Sequence, residues 1–250
     1  MPGLRPTTAT GQDALESRIV TEPDLRPLAL VTGASRGIGA AVARALAPGF
    51  DVLLGGRDTA ALQTLADELP GSRPWPVELT DAATVAEAVG GIERLDVLVH
   101  SAGVGMLGTV AETSAATWRR QFDVNVVAVA ELTRLLLPAL RAARGRVVII
   151  NSGSGLVARP GWASYAASKF ALRALADALR AEEAPHGVRV TSVHPGRVDT
   201  DMQRDVVAQE GGPYRPHAYL RAESVAGAVL LAVTAPPDAE LTELVLRPAP

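Results

Sequence analysis

The chain has 250 residues, 48% of them hydrophobic, which suits one large α/β domain or two small ones with a sizeable core. A net charge of −3, with charges of both signs scattered and no basic run, leaves no nucleic-acid footprint. The absence of cysteine excludes disulfides, thiol catalysis and cysteine-ligated metal sites, fits a cytoplasmic protein, and leaves no metal site to expect.

Residues 1–26 are polar and rich in Thr and Pro, with Asp13, Glu16, Glu22 and Asp24 and no apolar signal core. They read as a flexible tail ahead of a domain over 27–250. From there short apolar runs alternate with helical stretches. Strands are predicted at Leu28–Val31, Val52–Leu54, Pro74–Val77, Asp96–Val99, Arg146–Ile150, Val188–Val193 and Leu241–Leu246. Helices are predicted from the glycine turn through Ala47, then at Thr59–Leu69, Ala82–Val89, Ala115–Arg141, Trp162–Glu183 and Glu223–Val233. The one long irregular stretch, Met202–Arg221, carries Gly211, Gly212, Pro213 and Pro216 and reads as a binding loop or lid. The alternation implies βαβ units and a seven-stranded, mostly parallel sheet covered on both faces. No apolar run approaches the roughly 20 residues a bilayer needs, so no membrane partner is expected.

The segment Thr32-Gly33-Ala34-Ser35-Arg36-Gly37-Ile38-Gly39 follows the first strand and opens the first helix. Its glycines permit a tight turn and close backbone approach, and the helix start offers free N–H groups to a pyrophosphate. The spacing is G-x-x-x-G-x-G, and the lysine of a P-loop is missing. After the second strand, where NAD sites carry an acid, the sequence reads Gly55-Gly56-Arg57. Arg57 and Arg36 suit a 2′-phosphate, so NADP(H) is expected over NAD(H), with NAD(H) still possible.

Twenty-three of the 24 basic residues are arginine, and the exception is Lys169, four residues after Tyr165, one of three tyrosines. That spacing stacks phenol and ammonium on one helix face. A lysine is a compact charge able to sit beside a phenol or a sugar hydroxyl, which a forked arginine does less well.

Together these residues resemble the short-chain dehydrogenase/reductase family over Leu28 to about Leu246. The matching pieces are the turn at 32–39, Asn125, Ser152 lying 13 residues before Tyr165, Tyr165-x-x-x-Lys169, and Pro195-Gly196-Arg197-Val198-Asp199-Thr200. The resemblance implies a single-domain, doubly wound Rossmann fold. It implies Tyr165 as general acid/base, its phenolate favoured by the Lys169 ammonium and an oxidised nicotinamide. Ser152 would donate to the substrate oxygen, Lys169 would hold the nicotinamide ribose, and Asn125 would hold a water leading from Lys169 to solvent. Cofactor contacts are implied for Gly33, Ser35, Arg36, Gly37, Ile38, Gly39, Arg57, Leu79, Ser101, Ala102, Gly103, Tyr165, Lys169, Pro195, Gly196, Val198 and Thr200. The C-terminal segment Ala235-Pro236-Pro237 through Leu246-Arg247-Pro248 resembles, less closely, a subgroup that reduces small hydroxy or keto compounds with NADP.

Two departures stand out: His100-Ser101-Ala102-Gly103 replaces the family's Asn-Asn-Ala-Gly, and Glu78 stands where relatives use Asp near adenine. His100 is expected to be structural, and Ser101 to keep the turn through a local hydrogen bond. Candidate substrate-lining residues are Met106, Leu107, Arg159, Trp162, Met202, Tyr214, His217 and Tyr219, with Arg159 able to meet a carboxylate. The expected activity is NADPH-dependent interconversion of a small-molecule ketone or aldehyde and its alcohol. The alternatives are a non-catalytic NADP-binding regulator and a lyase, epimerase or dehydratase on the same sheet. The family's usual assembly through its two long helices implies a homodimer or homotetramer.

Overall fold

The computed structural model describes residues 26–249; the tail expected over residues 1–26 therefore lies, but for Arg26, outside the described residues. Seven strands form one sheet in the order β3-β2-β1-β4-β5-β6-β7, and all six neighbouring pairs are parallel. The strands are β1 (Leu28–Thr32), β2 (Asp51–Gly56), β3 (Ser72–Pro76), β4 (Val97–His100), β5 (Arg146–Ile150), β6 (Arg189–Pro195) and β7 (Glu243–Leu246). The predicted strands recur with shifted ends. Pro74 and Pro76 sit in β3 because it is an edge strand, where a missing N–H breaks no ladder.

Successive strand residues face opposite sides, so each strand feeds two cores. Ala29, Val31, Val52, Leu54, Val97, Val99, Val148 and Ile150 pack beneath α1 (Gly37–Leu46), α2 (Thr59–Glu68) and α8 (Ala222–Thr234). Leu30, Leu53, Leu98, Val147 and Ile149 meet α3 (Ala82–Val89), α5 (Ala128–Ala143) and α6 (Ala163–Glu183) on the other face. Burial on both faces explains why the strands read as continuous apolar runs.

The helix expected at Ala115–Arg141 comprises α4 (Ala115–Phe122), a π turn over Asp123–Val127, and α5. Single π turns often mark functional positions, and this one carries Asn125. The irregular segment expected at Met202–Arg221 is corrected in its first half, where α7 spans Asp201–Glu210. The Thr200 side chain accepts from the Gln203 N–H to start that helix, and Gly211, at φ 70°, ends it. The glycine therefore stops a helix that its neighbours favour. Val127 and Phe170, on the two long helices expected to join protomers, stay exposed. No helix among the described residues is long and apolar enough to cross a membrane.

The chain leaves β1 in one direction towards β2 and β3, and later returns on the other side as β4. Loops from β1 and β4 thus diverge at their C-terminal ends, the place where such sheets hold ligands.

Candidate active site

The two diverging loops are tied together at their base. The Thr32 hydroxyl accepts from the N–H groups of Ser101 (3.0 Å) and Ala102 (3.2 Å) and donates to the Val99 carbonyl. The turn after β4 thus survives the Ser101 replacement through backbone groups; no hydrogen bond from the Ser101 hydroxyl occurs among the described residues. Gly33 has φ +66°, and a Cβ there would lie 2.9 Å from Ala102 Cα. A Cβ on Gly39 would lie 2.1 Å from the Gly33 carbonyl oxygen. The start of α1 carries no side-chain cap, so its first N–H groups stay open.

Above this turn lies a cleft of about 220 Å³ that brings together Gly33, Ser35, Arg36, Gly37, Ile38, Gly39, Arg57, Leu79, Ser101, Ala102, Gly103 and Thr200, and is lined also by Arg120. Thr200 closes it from α7, its Cγ2 lying 3.3 Å from where a Gly37 Cβ would stand. Arg57 pairs with Glu78 at 3.3 Å and Arg36 with Asp201 at 3.8 Å, both in solvent. Burial pushes the Glu78 carboxyl up, but hydrogen bonds from Thr80 and the Arg57 guanidinium outweigh this and hold it below its usual value.

A second cleft of about 570 Å³ continues from the first, sharing Ile38, Ser101, Ala102, Gly103, Val104, Thr200 and Met202. Ser152, Tyr165, Lys169, Pro195, Gly196 and Val198 line it. The Tyr165 ring is half-buried with Trp162 edge-on at 5.8 Å, and desolvation raises the pKa of its phenol while a hydrogen bond with Ser152 works the other way. In the chain alone desolvation thus outweighs what would favour the expected phenolate, and the nearest hydrogen bond of Lys169 is made elsewhere. Its Nζ donates to the Ile150 carbonyl at 3.1 Å and stands 5.9 Å from the Tyr165 ring centre. Burial brings the Lys169 ammonium down to about 8. Ser152 rather than Ser154 meets the phenol, and its hydroxyl accepts from the Ser154 N–H at 3.1 Å.

The Asn125 side chain bonds within the protein. Its Oδ1 accepts from Val104 N–H (2.9 Å), and its Nδ2 donates to Val104 O and Ser168 Oγ (both 3.0 Å). Gln121, one turn earlier and fully buried, repeats the pattern. It accepts from Met106 N–H and donates to Met106 O and Ser164 Oγ. These two rungs fix the loop over Tyr165 to α6. The pairs 121/125 and 164/168 share helical spacing, a signal that sequence reasoning missed.

His100 is structural, as expected, but bonds a side chain rather than backbone. Thr133 donates its hydroxyl to Val129 O, so the His100 Nε2–H must donate to Thr133 at 2.9 Å. Burial lowers His100 to about 3, which keeps it neutral. Of the expected substrate-lining residues, Leu107, Arg159, Trp162 and Met202 line the cleft, whereas Met106, Tyr214, His217 and Tyr219 do not. Met106 is held at its backbone by Gln121. Tyr214 donates to Asp199 and packs edge-on against Tyr219, so both rings serve local packing. Arg247, Gln203 and Val206 are lining residues that sequence reasoning missed. No cluster of three or more metal-ligating side chains occurs among the described residues.

A family model described as short chain dehydrogenase matches residues 27–211. The chain belongs to the short-chain dehydrogenase/reductase family. It is 35% identical over 236 residues to a glycine betaine reductase of Emericella nidulans, covering 88% of this chain and 18% of that protein. It is 35% identical over 201 residues to dehydrogenase/reductase SDR family member 7B of Bos taurus, covering 74% of this chain and 62% of that one. The chain thus spans less than two thirds of the length of either relative. An alcohol dehydrogenase from the archaeon Thermococcus sibiricus, solved with 5-hydroxy-NADP, superimposes with a TM-score of 0.80. The two are 29% identical, and the match covers 89% of this chain and 97% of that one. The family is one of oxidoreductases, and the ligand of the archaeal neighbour is an NADP derivative.

Proposed function

We propose that the protein is an NADPH-dependent reductase of a small ketone or aldehyde, with Tyr165 as the proton donor. The carrying observation is the convergence of the half-buried Tyr165 phenol, the Ser152 hydroxyl and the Lys169 ammonium at the far end of a groove that begins in a glycine cradle. The cradle fits a dinucleotide because its glycines permit a turn so tight that a Cβ at Gly33 or Gly39 would strike neighbouring backbone, and the uncapped start of α1 offers N–H groups to a pyrophosphate. When bound, the reduced nicotinamide supplies the hydride to the carbonyl carbon.

The residues then handle the oxygen. Ser152 donates a hydrogen bond to the carbonyl oxygen as negative charge builds there. Tyr165 passes its phenolic proton to that oxygen, completing the alcohol, and regains a proton from solvent. Burial keeps the phenol protonated at neutral pH, the state a reductase needs. Lys169 offsets the charge left on the phenolate and orients the ribose. Asn125 and Gln121 hold the covering loop.

A pH profile checks Lys169. As pH rises through about 8 the ammonium is lost, so kcat/KM for reduction falls about tenfold per further pH unit. Stability runs the opposite way. The unfolded chain keeps this proton to higher pH than the folded one, so the buried charge costs stability below about 8 and the cost fades as pH rises further. A rate that stays flat into the ordinary lysine range contradicts the role.

NADPH preference rests on Arg36, Arg57 and Arg120 around the first cleft. The exposed pairs with Asp201 and Glu78 are each worth about 0–1 kcal/mol, so a 2′-phosphate can displace the carboxylates. Arg57→Ala is expected to lower kcat/KM for NADPH by roughly 10- to 100-fold, the worth of one to two charge-assisted hydrogen bonds, and to change that for NADH by less than about threefold. Equal losses with both cofactors would contradict the preference.

A further inference from the structure

The walls of the larger cleft carry four cations and no carboxylate: Arg159, Lys169, Arg197 and Arg247 line it, and no Asp or Glu does. Two of the four are already committed. Lys169 donates to the Ile150 carbonyl, and Arg197 forms a two-pronged pair with Glu210 at 2.7 and 2.8 Å. Glu243, which does not line the cleft, accepts from Arg173 at 2.9 Å and lies 3.7 Å from the buried His194. Arg159 and Arg247 have no ion-pair partner among the described residues.

Arg247 is the better placed of the two. Its Nη1 donates to the main-chain carbonyls of His194 (3.2 Å) and Leu246 (3.1 Å), which pins the guanidinium at the end of β7. A Cβ on Gly153 would meet Arg247 Nη1 at 3.3 Å and Nη2 at 3.4 Å. The guanidinium therefore overlies the residue next to Ser152. Nε and Nη2 have no hydrogen-bond partner among the described residues, and this forked edge matches the two oxygens of a carboxylate. Leu107, Val157, Trp162 and Val206 add apolar wall to the same cleft. An uncompensated guanidinium in such a cleft attracts an anion and repels a cationic substrate.

We propose that Arg247, with Arg159 at the mouth, forms a carboxylate subsite, so that the substrate is an oxo acid whose carbonyl meets Ser152 and Tyr165. This deepens the reductase reading and rests on it for turnover, but not for binding. The test compares 2-oxobutanoate, acetoacetate and 4-oxopentanoate with their methyl esters, using the full chain and NADPH. At least one acid is expected to exceed its ester by tenfold or more in kcat/KM. Arg247→Gln brings that ratio to near one, mainly through KM, and Arg247→Lys restores part of it.

Calorimetry with butanoate and butanamide on the NADP⁺-loaded protein reads the subsite without turnover. Binding of butanoate, absent for butanamide and lost in Arg247→Gln, supports the subsite even if no oxo acid is reduced; that failure then falls on the reductase reading alone. Esters reduced as well as acids, with a ratio that Arg247→Gln does not move, overturn the subsite while the reductase reading stands. Equal binding of butanoate and butanamide overturns it as well.

Discussion

Replacing Tyr165 with phenylalanine is expected to lower carbonyl reduction by about 10²- to 10⁴-fold, the usual worth of a positioned proton donor. NADPH affinity should stay within about twofold, because the change removes one oxygen and leaves the ring. The edge-on contact with Trp162 at 5.8 Å involves the ring alone. Ser152 keeps the N–H of Ser154 as a donor to its hydroxyl, so no buried group is stranded. Stability should therefore change by no more than about 1 kcal/mol. Single-turnover NADPH oxidation beside a calorimetric cofactor titration separates the two quantities. A variant with near-native rate would remove Tyr165 from the chemistry, whereas lost cofactor binding would make it a structural residue.

Gly39→Ala should have the largest effect on the fold and on the cofactor cradle together. The added methyl would sit 2.1 Å from the Gly33 carbonyl oxygen and 2.6 Å from its carbon. Both are backbone atoms, so no flexible side chain can yield. Either the β1–α1 turn opens or α1 tilts away from α8, its main helical partner. Overpacking of this kind costs about 3 kcal/mol or more. For a chain of this size that lowers Tm by roughly 6–12 °C. Because the displaced atoms form the anion cradle, NADPH binding should weaken by at least about tenfold as well. Gly49→Ala is the control, since nothing lies within 4 Å of its added methyl. Thermal melts with and without NADPH check both halves of the prediction. A Gly39→Ala protein that melts with the parent and keeps its NADPH affinity would show that the close approach is not required.

The order of strands and helices was legible because both faces of the sheet are buried, so β1, β2, β4 and β5 are nearly unbroken apolar runs. The glycine turn and the Tyr165–Lys169 pair were legible because backbone conformation and helical spacing leave local marks. Helix α7 was not. Its residues are mostly polar, and the prolines beyond Gly211 masked a ten-residue helix that Thr200 caps. Asn125 was recognised as a site residue, but its partners are Val104, 21 residues away, and Ser168, 43 away, and nothing local reveals them. Arg247 lies 53 residues from His194, and only the pairing of β6 with β7 carries it back to Ser152. Tyr214 and Tyr219 looked like pocket residues because they are aromatic in a loop. The structure turns them onto Asp199 and onto each other.

The most direct test of the central claim is isotope transfer. NADPH carrying deuterium at the transferring position of the nicotinamide is incubated with the protein and a panel of ketones, aldehydes and oxo acids, and products are read by mass spectrometry. The expected product is an alcohol with one deuterium on the carbinol carbon, formed by the parent and not by Tyr165→Phe. A product equal in mass to its substrate, or lighter by one water, or NADPH binding with no product across the panel, would contradict it.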